Sequence, residues 1–430
     1  MELVQTVEQV FSPLDEKLEL QPGSVTPLQL KHLVHFASFH SFEEAAQMLQ
    51  EHHGVQVSAS TVRRQTEDIG AEALVVQDEK EQKPLCNHTR VKEGRRDKKA
   101  EKMMMSSDGS YISLVGKRVA EVKTMVIGEV KENKEPSKQR INQEVKTTAI
   151  SYFSRMTDSA TFITLATKET QRRGLLQAKQ VCAVQDGAEW IQECIDAHRP
   201  DAVRILDFYH AAGYLSDIAT LVRSAGTTLP ETWLDEQLHE LKHQGPRSVL
   251  KEIHRLLHDH PQVEDLKKKV TYLQKREKLM NYPLFQQHGW PIGSGCVESA
   301  NKCVVQKRLD GPGMHWDPRN VNPLLALRTG LCNERWDETY KQAFSQRLLT
   351  RKKNRFARQK KRYDALYQKV QQTILRFLLL APPLKPQQKK IPLPSHQSEV
   401  AVASTHSLQA SKARIPASNH PWRRFAHAKK

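Results

Sequence analysis

The sequence predicts an α/β fold: a mixed sheet with helices against it, preceded by a helical region and followed by a long helical stretch and a basic tail. Three observations predict it. Runs rich in Val, Ile, Met, Thr and Tyr lie between residues 103 and 206, the later ones alternating with helix-period segments. The residues before and after that interval are helical in period. Charge is partitioned as well: residues 341–430 hold 21 Lys/Arg against two acids, Asp364 and Glu399, a net +19. The other 340 residues hold 45 bases and 47 acids.

Taken in order, residues 1–24 read as irregular and 26–69 as helical. Ser41-Phe42-Glu43-Glu44 is a capping box, in which Ser41 accepts from the Glu44 amide and the Glu44 side chain reaches back. Gly54 ends that helix and Ser58 starts another, with Val62 and Ile69 expected inside and Arg63, Arg64 and Gln65 outside. Two helices joined this way fit a helix-turn-helix or an ordinary helical hairpin. Residues 72–102 are charged and read as a linker. Strands are expected at 103–114, 121–130, 147–155, 181–185 and 203–206, with helices at 158–173 and 188–197, giving βββαβαβ. A helical stretch from 209 to 279 follows, then a Trp290-Pro291-Ile292-Gly293-Ser294-Gly295 loop and a helix to about Arg308. Residues 341–380 are basic and helix-forming, and Pro, Ser and Gln beyond 381 suggest a flexible tail.

The length of 430 residues suggests two to four domains at about 150 residues each. No run approaches the ~18 apolar residues of a membrane span. The most apolar stretch, 374–384, carries Arg376, Pro382 and Pro383. No basic segment precedes an apolar one after Met1, so no secretory signal is expected. Six Cys without a close pair argue against a disulfide framework or a Cys-based zinc site, and a cytoplasmic protein is expected. The cationic tail suits phosphate backbones through counterion release, or is a solvated extension.

Three acids stand out. Asp108 lies on the first strand before Gly109, Asp186 ends a buried strand before Gly187, and Glu298 opens a helix. Singly each fits a turn or a cap. Together on this framework they suit a hard cation, since carboxylates hold Mg²⁺ or Mn²⁺ and leave room for phosphate oxygens. Asp207 has the position of a helix cap, with His210 in the first turn. Glu298 and Lys302 also have the i,i+4 spacing of a surface ion pair.

Long strings around these residues resemble one family. They include Asp108-Gly109-Ser110, Ala120-Glu121-Val122-Lys123-Thr124, Asp186-Gly187-Ala188-Glu189-Trp190, Asp207-Phe208-Tyr209-His210 and Gly293-Ser294-Gly295-Cys296-Val297-Glu298-Ser299-Ala300-Asn301-Lys302. Others are Gly313-Met314-His315-Trp316, Asn333-Glu334-Arg335-Trp336 and His420-Pro421-Trp422-Arg423-Arg424. The chain is similar over nearly its whole length to the bacterial ISKra-type insertion-sequence transposases, DDE enzymes of the Mutator-related group. Val119 departs from the pattern, standing where that family has Trp.

The resemblance implies an RNase H-like catalytic domain over 103–340, with a helical insertion at about 215–285. It implies Asp108, Asp186 and Glu298 as catalytic metal ligands for Mg²⁺ or Mn²⁺, and an accessory motif at Asp207 and His210. The expected DNA contacts are Arg63, Arg64 and Gln65 in a helix-turn-helix region at 1–71, with Lys302 and Arg308 on the last catalytic helix. A basic tail at 341–430 would add backbone affinity. The expected partners are double-stranded DNA, as terminal repeats and target, and further copies of the chain, in a bacterial cytoplasm at the nucleoid.

Overall fold

A computed structural model describes residues 25–78, 100–132 and 145–380. The expectations for residues 1–24, most of the linker and the tail beyond 380 lie outside the described residues. The chain divides into a unit ending at Lys360 and a second beginning at Lys361.

Five strands form one sheet: β1 Lys102–Leu114, β2 Arg118–Glu132, β3 Val145–Arg155, β4 Gln180–Gln185 and β5 Val203–Leu206. Their spatial order is β3-β2-β1-β4-β5. The first three make an antiparallel meander, while β4 runs parallel to β1 and β5 parallel to β4. Met103 to Ser107 are buried without a break, because β1 is central and covered on both faces. Met103 and Met105 pack with Phe162, Ala166, Ile191 and Cys194, from α4 Ser159–Arg172 and α5 Glu189–His198. Met104 points the other way, into a core with Ile205, Leu215 and Ile218.

That second core continues through the inserted helices. α6 Phe208–Ser224 leaves the end of β5, and α7 Trp233–His243, α8 Pro246–Asp259 and α9 Glu264–Lys275 follow. α9 buries Leu266, Val270 and Leu273 on one face. The short α10 Tyr282–Gln287 then leads into α11 Gly295–Ala300, a π-helical turn Asn301–Gln306, and α12 Lys307–Leu309. No helix among the described residues is long and apolar enough to cross a membrane.

The N-terminal region is three helices, α1 Pro27–Phe39, α2 Phe42–His53 and α3 Ala59–Asp78. The Ser41 capping box forms at both ends: Glu44 N donates to Ser41 Oγ (3.1 Å) and Ser41 N donates to Glu44 Oε2 (2.9 Å). Ser58 Oγ accepts from Thr61 N (3.2 Å) at the head of α3. α3 runs seven residues past 71, the expected end of this region. Its core is shared with two later helices. Leu30, Leu33, Val62 and Ile69 pack with Ala326 and Leu327 of α13 Pro318–Cys332, and with Tyr340, Ala343 and Phe344 of α14 Trp336–Leu380.

No separate element was expected over α13, which carries Pro318, Pro323 and Gly330. Pro318 stands in the first turn, where no amide is needed, and Asp317 caps through Arg319 N (2.9 Å). Pro323 is tolerated inside a helix that is buried from Leu324 to Gly330. α13 also shields the outer edge of the sheet. Asn322 accepts from Met156 N (2.8 Å) and donates to Met156 O (3.1 Å). Asn333 does the same at Tyr152, at 2.7 and 2.9 Å. Two side-chain amides thus stand in for a neighbouring strand beside β3.

α3 and α13 meet at Gly70, where a Cβ would lie 2.8 Å from the Pro323 carbonyl oxygen. Gly70→Leu should therefore destabilise the protein by about 1–3 kcal/mol, as overpacking does. A urea titration against wild type measures this, and an unchanged midpoint would show that the two helices can move apart freely.

Candidate active site

Asp108 stands in β1 opposite Thr124, two residues past the last β1–β4 pair, Ser106 with Val184. The two strands diverge there, opening the sheet at the point where β4 ends at Gln185 and Asp186 follows. Glu298, exposed, lies in the first turn of α11. Burial, with the negative charges of Asp186 and Glu298, holds the Asp108 carboxyl above its usual range, against hydrogen bonds from Gly109 and Asn301. Asp186, 78 residues on, and Glu298, 112 further, therefore each act electrostatically on Asp108.

Each acid is held by its neighbours. Asp108 Oδ1 accepts from Gly109 N (2.7 Å), and its Oδ2 accepts from Asn301 Nδ2 (2.9 Å). Asn301 is buried and lies three residues after Glu298, so the helix bearing the third acid also grips the first. Sequence reading missed Asn301, although its spacing from Glu298 was a usable signal. Asp186 Oδ1 accepts from Ala188 N (2.9 Å) at the head of α5. From α9, Tyr272 OH donates to the Asp186 carbonyl, and Arg276 Nη2 donates to the Gly187 carbonyl (2.7 Å). Gly187 has φ 87°, and a Cβ there would lie 2.3 Å from Arg276 Nε. Tyr272 also stacks on Tyr214 at 4.1 Å, beneath the Arg276 guanidinium at 3.6 Å. The insertion thus fixes the turn that carries Asp186.

Asp207, 5% exposed, caps α6 by accepting from Tyr209 N (3.1 Å). It also accepts from Ser294 Oγ (2.5 Å) and Ser294 N (3.3 Å), while Phe208 N donates to Ile292 O (2.9 Å). Asp207 therefore clamps the loop that delivers Glu298. The His210 ring lies 5.2 Å from Tyr214 and 6.0 Å from Tyr272, in the aromatic cluster under the Asp186 turn.

In chemical kind the donor set suits a hard divalent cation: three carboxylates whose mutual repulsion a cation relieves. Among the described residues, however, no group of three His, Cys, Asp or Glu side chains is gathered into a metal-holding arrangement. Asp186 and Glu298 are in electrostatic reach of Asp108 without the three forming a finished coordination shell.

The expected DNA contacts divide. Arg63, Arg64 and Lys302 are exposed, and no ion pair joins Lys302 to Glu298. Arg63 Nε lies 3.9 Å from Glu67, a loose i,i+4 pair. Two expectations are corrected. Gln65 faces inward, 3% exposed, and its Oε1 accepts from Arg347 Nη2 (2.5 Å). Arg308 is 2% exposed, its guanidinium 4.7 Å from the Phe42 ring and 5.0 Å from the Trp316 ring. Its Nε donates to Ala37 O (2.9 Å), and Arg328 Nη1 donates to Ser38 O (3.0 Å). The two buried arginines satisfy carbonyls at the end of α1, which leaves Arg308 unable to reach DNA.

A family model described as "Uncharacterised protein family (UPF0236)" matches residues 8–312, more than two thirds of the chain. No curated protein matches the sequence. Among solved structures, "Drosophila P element transposase strand transfer complex" is similar over 76% of this chain and 82% of that one, at 12% identity and a TM-score of 0.26. A similarity that slight bears no argument about this chain.

Proposed function

The chain belongs to the uncharacterised protein family UPF0236, and from that premise we propose that it is a DNA transposase with an RNase H-like catalytic domain. The observation that carries this reading is the placement of Asp108 and Asp186 where β1 and β4 part, with Glu298 close enough to act on Asp108. A strand-end crevice in an α/β sheet is a favoured ligand position. Carboxylates alone repel a phosphodiester, so their grouping makes sense with cations between them and the phosphate.

In this proposal Asp108, Asp186 and Glu298 would hold Mg²⁺ or Mn²⁺. When bound, such ions supply charge neutralisation at the phosphate and activation of the attacking hydroxyl. The protein's own residues do the rest. Asn301 orients Asp108, Tyr272 and Arg276 fix the backbone that presents Asp186, and Asp207 holds the loop that presents Glu298. Arg63, Arg64 and Lys302 are offered to DNA, and the basic C-terminal residues add affinity that is independent of sequence.

The test is incubation of the full chain with Mg²⁺ and DNA carrying the sequences that flank its coding region. Nicking at defined ends, followed by joining of those ends to a second DNA, is the expected result. Nicking without joining would reduce the protein to a nuclease, and binding without nicking would reduce it to a regulator.

Asn301 supplies a sharper test, because one of its two changes is neutral and the other adds a negative charge. Asn301→Ala should slow cleavage roughly 10- to 100-fold, the usual cost of losing a group that orients a ligand. Asn301→Asp should do worse, since it sets a further like charge beside Asp108. Single-turnover rates compare both with wild type, and a wild-type rate in Asn301→Ala would show that the Asn301–Asp108 hydrogen bond carries no weight.

A further inference from the structure

The second unit begins at Lys361, and its described part is the last stretch of α14. This helix presents large apolar side chains to solvent: Tyr363, Tyr367, Val370, Ile374 and Phe377 are all between 46% and 77% exposed. Their spacing alternates four, three, four, three, the seam of a heptad repeat; Leu366, Leu375 and Leu379 are exposed as well and lie off that seam. Phe356 extends one row, since 356, 363, 370 and 377 are each seven apart. A seam with that period fits another helix wound along it better than a flat surface or a sheet.

The charges identify which helix. In a protein of net +17, self-association would ordinarily set like charges together. Over this segment it does not. Arg362, Lys369 and Arg376 are also seven apart and fall at a single outer heptad position, away from the seam. The positions beside the seam are Asp364, Leu366, Gln371 and Thr373, with no base among them. Upstream the pattern inverts: Lys353 and Lys360 occupy seam positions, so helix pairing ends near Tyr363. Tyr363, Tyr367 and Phe377, 68%, 54% and 77% exposed, bring about 600–1,000 Å² from two copies at 150–250 Å² per whole aromatic residue. Val370, Ile374 and the flanking Leu366 add to this, toward the lower end of stable interfaces at about 1,200 Å².

We propose that residues 363–377 of α14 form a coiled coil with the same segment of a second copy of this chain. The test is light scattering on the full-length protein across a concentration series. Wild type should self-associate. Val370→Lys combined with Ile374→Lys should raise the dissociation constant at least roughly a hundredfold, because unpaired charges would be buried in the seam. Gln372→Lys, on the outer face, should leave it unchanged. Lys is a good helix former, so circular dichroism should stay constant in all three proteins. A monomeric wild type would overturn the proposal and leave the face to the chain's own C-terminal residues or to another partner. A double variant that associates as wild type does would overturn it equally. Neither result depends on whether the protein cuts DNA.

Discussion

Asp108→Asn, Asp186→Asn and Glu298→Gln should each abolish Mg²⁺-dependent cleavage of end-bearing DNA, a loss on the order of a thousandfold or more. DNA binding should survive, because none of the three carboxylates is a DNA contact. Asp108→Asn should also do something the loss of activity does not require. The carboxyl at 108 is held above its usual range by burial and then by Asp186 and Glu298. Between its unfolded and folded pKa values the native state binds more protons, so stability falls as pH rises through that window. Above that window the whole penalty is present. Asn removes it and still accepts a hydrogen bond from Gly109 or Asn301. In EDTA at pH 7, Asp108→Asn should therefore melt above wild type, and below the carboxylate range the difference should vanish. A variant that melts lower at pH 7 would mean that the ionised carboxylate is favoured in the fold, contrary to the burial seen here. Any member of the triad whose substitution left cleavage near wild type would lose its place as a ligand.

Truncation after Lys360 should weaken DNA binding and flatten its dependence on salt. The removed residues carry 13 Lys/Arg and two acids, a net +11. Each lost phosphate contact takes about 0.9 from the slope of log K against log salt. The cut belongs there and not after Tyr340, where the basic run begins. Ala343, Phe344 and Arg347 are buried, and Arg347 bonds Gln65, so the earlier cut would open the core around α3. Fluorescence anisotropy at several salt concentrations gives the slope. An unchanged slope would make residues 361–430 a solvated extension with no part in DNA binding.

The sheet could be read from sequence almost strand for strand, because β4 and β5 are short apolar runs and the longer β1, β2 and β3 are rich in Val, Ile, Met and Thr. β5 matches its expected bounds, and β1 and β4 each begin one residue early. Prolines concealed α13, whose Pro323 survives only because tertiary packing surrounds it. On α3 the error was one of phase. Residue 65 lies three after Val62 and four before Ile69, so helical spacing alone places it inside, and its amide suggested otherwise. Arg308 misled similarly, because its buried guanidinium is satisfied by the carbonyl of Ala37, 271 residues away in sequence. At the candidate site, the three acids stood out in sequence by their places at strand and helix ends. Tyr272 and Arg276 were not, since nothing in the chain links them to Asp186 until the insertion folds back.

The core shared by α1–α3 with α13 and α14 has a consequence for how the protein would measure DNA. A reader joined to its blade by a loose tether can slide along the duplex before cutting. Here the helix bearing Arg63 and Arg64 is bolted, through Gly70 against Pro323, to the body that holds the acids. The distance between the bases read and the phosphate cut would then be a dimension of the protein, fixed like the gap of a caliper. Adding base pairs between an end sequence and its natural cut point should leave the break at a constant count from the read bases. A break that stayed with the original phosphate would show that the caliper can open.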